Sequence, residues 1–444
     1  MQSCNIILFL TVNQLEEASE YLRATVGTES NSWEKALSSA PLGIATLGQL
    51  IADTCSAPDF PIDKKAGLLM KHPYSLRGTV VQIVKEAYLS LNKAQNYMEQ
   101  IQLYMEQVPR HVKECAKILK SQNAVDIKIV LLGRIECIRE AANISAKLSQ
   151  RLSQCFHQLN ELIGQVLEAL SASMETAKEY QSASQTRRLM ATRLADTSLG
   201  VKILCTAVNE TIRNYKPVFH VRNVSTNSQV AQVRLMAAES ERRAVRLKMI
   251  KGKAEKNKNK MEEIYAQYVA NLEDATNQDD NNNETVILLL RQSLINLSNL
   301  KGHWVEMTLY FQSITNIITT TTQPNLEDFT EEATFAADTP SLIQLMGNSI
   351  LESSLSSYLT RRIADIYVKV SNLFIIRNAD NLQKMITLNA EDTSEAQKQL
   401  TDSCHKLSGI VLALVKEERE QLIPQIQDHV DQLKIEFDTL EISH

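Results

Sequence analysis

From Val80 the apolar positions fall at Val80, Val84, Ala87, Leu91, Ala94, Met98, Ile101, Met105 and Val108, alternating steps of four and three residues. This spacing predicts an amphipathic helix with a coiled-coil-like stripe, stopped by Pro109. A second stripe, Ile135, Ile138, Ala142, Leu148, Leu152, Phe156, Leu159, Ile163, Val166, Leu170 and Ala177, predicts a helix of roughly 45 residues, ~65 Å long at the α-helical rise. A third register runs Val230, Val233, Ala237, Ala244, Leu247, Ala254, Met261, Tyr268 and Leu272, and ends at the polar loop TNQDDNNNE. The fourth places Leu290, Leu297, Trp304, Phe311 and Ile318 at one core position and Leu300, Met307 and Ile314 at the other. Trp304, Met307, Phe311 and Ile314 are therefore expected in the core, whereas Tyr310 falls off the seam with its hydroxyl in water.

TTTTQP opposes continuation of that helix, because β-branched residues and then a proline follow it. Thr339 and Pro340 then read as an N-cap and first helical residue, opening a helix through SYLTRRIADIYVKVSNLFIIRN. A last helix is expected over residues 392 to 440, kinked at Pro424. Stripes this long must be buried along their whole length against similar stripes. The fold expected is all-α, an elongated bundle of long coiled-coil-like helices with an irregular tip.

The organisation follows from where the pattern fails. Residues 1–75 carry Pro41, Pro58, Pro61 and Pro73 and are expected to form short helices and loops packed on the bundle. Residues 76–181 hold long helices, and 229–444 hold the long helices that complete the bundle. Between them, 182–228 contains Gly200, Pro217, Asn and Ser clusters and one short apolar segment, LGVKILCTAV, and is the candidate tip or head hairpin.

Composition agrees with few turns: 444 residues contain only 12 Gly and 9 Pro. A formal net charge of -5 gives no domain-wide basic footprint, so no nucleic acid is expected as a partner. The seven cysteines are odd in number and scattered, which suggests free thiols rather than a disulfide framework or a metal site. The first residues, MQSCNIILFLTVNQ, lack a basic n-region and a clear cleavage site and read as a helix packed on the body. No apolar run approaches the ~20 residues that span a bilayer, so localisation is left open.

Chemistry finds no foothold. Phosphate-cradling glycine loops, nucleophile elbows, zinc-binding helix motifs and calcium loops are all missing, and no two histidines stand three or four residues apart. The chain reads as non-enzymatic, with no catalytic residue, no metal and no cofactor. What remains are two surface candidates. Nine basic residues lie between Arg242 and Lys260; Arg242, Arg243, Arg246, Lys248, Lys251 and Lys253 are the candidate anionic-surface contact, with a merely solvated face as the plain alternative. The tip offers Leu199, Val201, Ile203, Leu204 and Val208 as a candidate membrane contact. Lys202 inside that cluster, and Arg187, Arg188, Arg193 and Arg213 around it, suit shallow interfacial docking rather than spanning.

GHWVEMTLYFQSITNII, the later IADIYVKVSN and the closing charged helix together resemble the C-terminal half of α-helical pore-forming toxins of the xenorhabdolysin A-component type, in the cytolysin A or haemolysin-like superfamily, and their eukaryotic relatives, over residues 230 to 440. The resemblance implies a helical tail bundle and a membrane-active head formed by a hairpin between the second and third long helices, here residues 182–228. It also implies oligomerisation on a lipid membrane, as a homo-oligomer or with a second helical component of a multi-component pore. A cytosolic coiled-coil scaffold without lytic activity is the alternative reading of the same helices.

Overall fold

The computed structural model describes residues 20, 33–57, 59–62, 69–121, 130–179, 227–275, 283–322 and 340–439. Among the described residues there is helix and no strand, which makes the chain all-α. In chain order the helices are α1 (33–55), α2 (Leu76–Met105), α3 (Val108–Ser121), α4 (Leu132–Glu179), α5 (Asn227–Ala275), α6 (Asn283–Ile317), α7 (Pro340–Val370), α8 (Ile376–Met385) and α9 (Ala390–Thr439). Wider π-type turns prolong α6 over Ile318–Thr322 and join α7 to α8 over Ser371–Ile375. The candidate tip residues Leu199, Val201, Ile203, Leu204 and Val208 lie outside the described residues.

Local chemistry sets the helix ends. Ser75 is extended and its hydroxyl accepts from the Gly78 amide, capping α2. The Asp59 carboxylate accepts from the Ser75 hydroxyl and the Arg77 amide, while the Arg77 guanidinium donates to Thr54 O at 3.0 Å and Ala57 O at 2.9 Å. One arginine thus satisfies carbonyls at the end of α1 and ties them to the start of α2. Pro109 does more than stop α2: it sits in the first turn of α3, where its missing N–H costs nothing. At the end of α6 the Thr319 and Thr320 hydroxyls donate to the carbonyls of Thr315 and Asn316 at 2.9 and 2.7 Å. Such back-bonding accompanies the loosened final turn.

Burial decides the arrangement. α4 lies along α6, and α2 touches α4, α5 and α7. Trp33, Leu37, Ala40, Ile44 and Leu47 of α1 form one buried face, and along the helix Lys35 alone is exposed. The expected break at Pro41 does not occur, because α1 runs through it without interruption. The proline removes one backbone hydrogen bond, and burial of the wide apolar face of α1, Pro41 included, outweighs that loss.

The α6 seam is closed by aromatic rings. Trp304, Met307, Phe311 and Ile314 are wholly buried. Phe156 of α4 packs on Trp304 and on Phe311, with centroids 5.6 and 5.4 Å apart, and Tyr367 of α7 meets Phe311 edge-on at 5.5 Å. Tyr310, expected at the flank, is instead sealed in the core, its hydroxyl donating to Ile363 O at 3.2 Å. α7 covers the flank of α6, so the buried face of α6 is wider than a single heptad seam. From the other side, Trp33 of α1 donates its indole N–H to Ser313 at 3.2 Å.

Gly43 of α1 lies against the Trp304 ring: a β-carbon there would stand 3.1 Å from Trp304 Cζ2 and 3.3 Å from Cη2. A ring held by Phe156 has little room to move. Gly43→Val should therefore destabilise the fold by about 1–3 kcal/mol through overpacking, despite relieving the helix of a glycine. Chemical denaturation measures this, and an unchanged midpoint would show that α1 does not pack on Trp304.

Candidate functional site

α5 is the helix least committed to the core. Its C-terminal half docks: Met261 is wholly buried, and the Tyr265 hydroxyl and His72 Nε2 share a hydrogen bond at 2.6 Å while Lys85 stands over the Tyr265 ring at 4.2 Å. The N-terminal half does not follow the expected seam. Ala237 and Ala244 are exposed, and Leu247 and Ala254 only half-buried. Met249 is 72% exposed and Val245 57%.

The physical reason lies on α2. Facing α5 it presents Asn92 and Asn96, both buried, whose side-chain amides donate to the backbone carbonyls of Ala254 at 2.9 Å and Ile250 at 3.0 Å. Asn257 donates back to Asn92 Oδ1 at 3.1 Å, and Gln100 donates to Asn96 Oδ1 at 2.6 Å. Ion pairs of Arg110 with Glu239 and of Arg246 with Glu106 complete the contact. Polar groups of one helix thus grip the backbone of the other, and no apolar stripe is needed between them.

Of the predicted basic contacts, Arg242, Arg246, Lys248 and Lys253 are exposed. Arg243 and Lys251 are half-buried, and burial lowers the pKa of the Lys251 ammonium. Val245 and Met249 stand among these cations, so the outward face of α5 is both basic and apolar. Arg243 also reaches back, its guanidinium 5.5 Å from the centroid of the Tyr104 ring.

Beneath this end of α5 lies a group that the sequence reading passed over. Arg134, near the start of α4, is 1% exposed. Its Nη1 meets His111 Nδ1 of α3 at 3.2 Å, and its Nε has no hydrogen-bond partner. Burial, followed by the charges of Arg134, Arg110 and Arg243, pushes the His111 pKa down to about 3. His111 is therefore neutral, accepts from Arg134 and offers it no counter-charge. The signal for Arg134 was a charge in an apolar register, three residues after Leu131 and four before Ile138.

Among the described residues no helix is long and apolar enough to cross a membrane, and no group of His, Cys, Asp and Glu side chains is placed to hold a metal ion. Comparison with protein-family models, with curated proteins and with solved structures found no match.

Removing Asn96 or Asn92 as alanine should cost about 0.5–1.5 kcal/mol each and act on α5 before the rest of the bundle. Hydrogen exchange resolved by segment reads this, and protection lost uniformly over α4 and α6 would contradict it. His111 carries a pH dependence with a definite sign. Its folded pKa of about 3 lies below its ordinary 6.5, so below pH 6.5 the unfolded chain takes up a proton that the fold refuses. Stability contributed by the neutral imidazole is present above that pH and is lost as pH falls toward 3, by up to about 1.4 kcal/mol per pH unit. His111→Gln keeps an acceptor for Arg134 and should flatten this acid limb; an identical limb in the variant would contradict the assignment.

Proposed function

We propose that the chain is a non-enzymatic, membrane-directed helical protein that acts as an oligomerising pore-former or as one component of a multi-component pore. The observation that carries this reading is the outward face of α5, where Arg242, Arg246, Lys248 and Lys253 surround exposed Val245 and Met249. A helix with cations beside apolar side chains suits the interface of an anionic bilayer, its cations at the headgroups and its apolar side chains just beneath them. Each basic residue near such a surface contributes about 1 kcal/mol, and burying Val245 and Met249 adds up to about 1.5–3 kcal/mol each. The polar seam to α2 supports the same reading, since it holds α5 without sequestering its apolar side chains. The resemblance of residues 230–440 to helical pore-forming toxins points in this direction independently, and an elongated rod belongs to that proposal. Residues 182–228, with Leu199, Val201, Ile203, Leu204 and Val208, are its proposed second, deeper contact.

A scaffold that binds partner helices is the second reading. Leu309 on α6 and Ile410 on α9 favour it, because they are exposed apolar residues away from the basic face.

Co-sedimentation with phosphatidylcholine vesicles, with and without phosphatidylserine, separates the two. The chain should partition onto the anionic vesicles only, and the triple replacement Arg246→Gln, Lys248→Gln, Lys253→Gln should weaken partitioning by about a hundredfold. Dye leakage from the same vesicles, alone and with candidate partner chains, then tests pore formation. No partitioning in either lipid would replace the membrane reading with the scaffold.

A further inference from the structure

Three helices lie side by side on one surface of the bundle. α1 runs between α6 and α9 and antiparallel to both: Asp53 and Gly43 meet Asn296 and Trp304 of α6, whereas Gly48 and Ser38 meet Leu400 and Ser408 of α9. Gly48 stands midway between Gly43 and Asp53, so its level on α6 falls midway between Trp304 and Asn296, at Leu300. Leu300 and Leu400 therefore stand level, and equal heights on the two outer helices differ by about 100 in residue number.

Both outer helices expose apolar side chains here. On α6, Leu288, Ile295, Gly302 and Leu309 are exposed at steps of seven residues; on α9, Ile410 and Leu412 are exposed beside Gly409. A β-carbon on Gly302 or Gly409 would touch nothing within 4 Å, so each glycine leaves room for a backbone that approaches from outside. Between the two ridges the half-buried Ser38, Leu42, Thr46 and Gln49 of α1 form a floor. The outward face of α4, by contrast, carries Lys147, Gln150, Gln154, His157 and Glu161, as a solvated helix ordinarily does. The ridges also differ in charge. Arg291 and Lys301 are exposed on α6, and Glu391 and Asp402 are exposed at the corresponding heights on α9. Glu391 suits the positive N-terminal end of its own helix, but Asp402 lies about three turns further in, beyond the reach of that effect.

We propose that this surface is a two-fold interface between two copies of the chain, in which α6 of each copy lies along α9 of the other. A two-fold axis parallel to the helices exchanges the two sides of α1 and keeps every height unchanged. It sets Arg291 against the partner's Glu391, Lys301 against the partner's Asp402 and Leu309 against the partner's Gly409, and it does so twice, since an isologous contact repeats each pair. From Leu288 to Leu309 the face is roughly 32 Å long, and three helices at ordinary spacing make it about 25 Å across, close to the ~800 Å² per partner of a standard interface. The interface rests on the self-association contained in the function proposed above and gives it a surface. None of its residues belongs to the basic face of α5, so a dimer leaves that face uncovered.

Light scattering of the full chain at micromolar concentration and low salt should return twice the mass of one copy. Two charge variants test the pairing: Arg291→Glu with Lys301→Glu, and Glu391→Lys with Asp402→Lys. Each alone sets like charges together at both seams and should weaken self-association by about a hundredfold. An equimolar mixture of the two variants restores every pair and should dimerise as the wild type does. All four sites are exposed, so circular dichroism should show each variant as helical as the wild type. A wild-type chain that stays monomeric, a charge variant that dimerises as the wild type does, or a mixture that stays monomeric each overturns the interface. Co-sedimentation of the same proteins with phosphatidylcholine vesicles, with and without phosphatidylserine, keeps the two readings apart. A monomeric wild-type chain that partitions onto the anionic vesicles would reject the interface and keep the membrane reading; a dimer that partitions onto neither lipid would reject the membrane reading and keep the interface.

Discussion

The bundle depends on the burial of one aromatic seam. Trp304, Tyr310 and Phe311 project from α6 toward three different helices, and Phe156, Tyr367 and Gly43 close on them from α4, α7 and α1. Rings of this size bury large areas and prefer offset or edge-on contacts, so their positions fix the spacing and rotation of the helices around them. Hydrogen bonds cross the seam at the same level, the Ser149 hydroxyl donating to Phe311 O at 2.7 Å and the Thr315 hydroxyl to Ser149 at 2.9 Å. They bind α4 to the backbone of α6 at the level of the rings. Registry between the two helices is thus held by both packing and polar geometry.

Against this core, α5 obeys different physics. Its attachment to α2 rests on amides that grip backbone carbonyls, and each such bond contributes little net free energy because water competes for the same groups. Apolar burial is concentrated at Met261 and Tyr265, beyond the basic stretch. One half of α5 is therefore anchored and the other half is held at its surface. That division leaves cations and apolar side chains available together on one face, which a fully sequestered coiled-coil helix cannot do.

Arg134 and His111 show how burial alters chemistry that looks ordinary in a list of residues. In water an arginine and a histidine would both carry charge near neutral pH or slightly below it. Sealed beside the guanidinium, the imidazole gives up its proton, because burial and the neighbouring positive charge both disfavour its charged form. The outcome is a local excess of positive charge next to the basic end of α5, and this is where the surface electrostatics of the chain and its interior meet.

The periodic stripes at 80–108, 135–177 and 290–318 were legible because an amphipathic helix writes its buried face into residue spacing. The extents of α2, α4 and α9 therefore agree with the sequence to within a few residues, and so does the all-α class, whereas α6 starts seven residues before the stripe, at Asn283. The basic run and the apolar Val245 and Met249 are also visible there. Other features needed three dimensions. Pro41 reads as a breaker, yet α1 passes through it because the residue and the apolar face beside it are buried in the bundle, and no local rule reports that. The third register has the spacing of a seam, but the helix opposite supplies asparagines, so the seam stays open. Tyr310 is buried because α7 comes to lie over it, and Arg134 meets His111 because α3 packs on α4. By itself the sequence determined which segments are helical and which faces could be buried; which helix covers which face was decided only by tertiary packing, since burial is a property of neighbours and spacing along one chain carries no information about them.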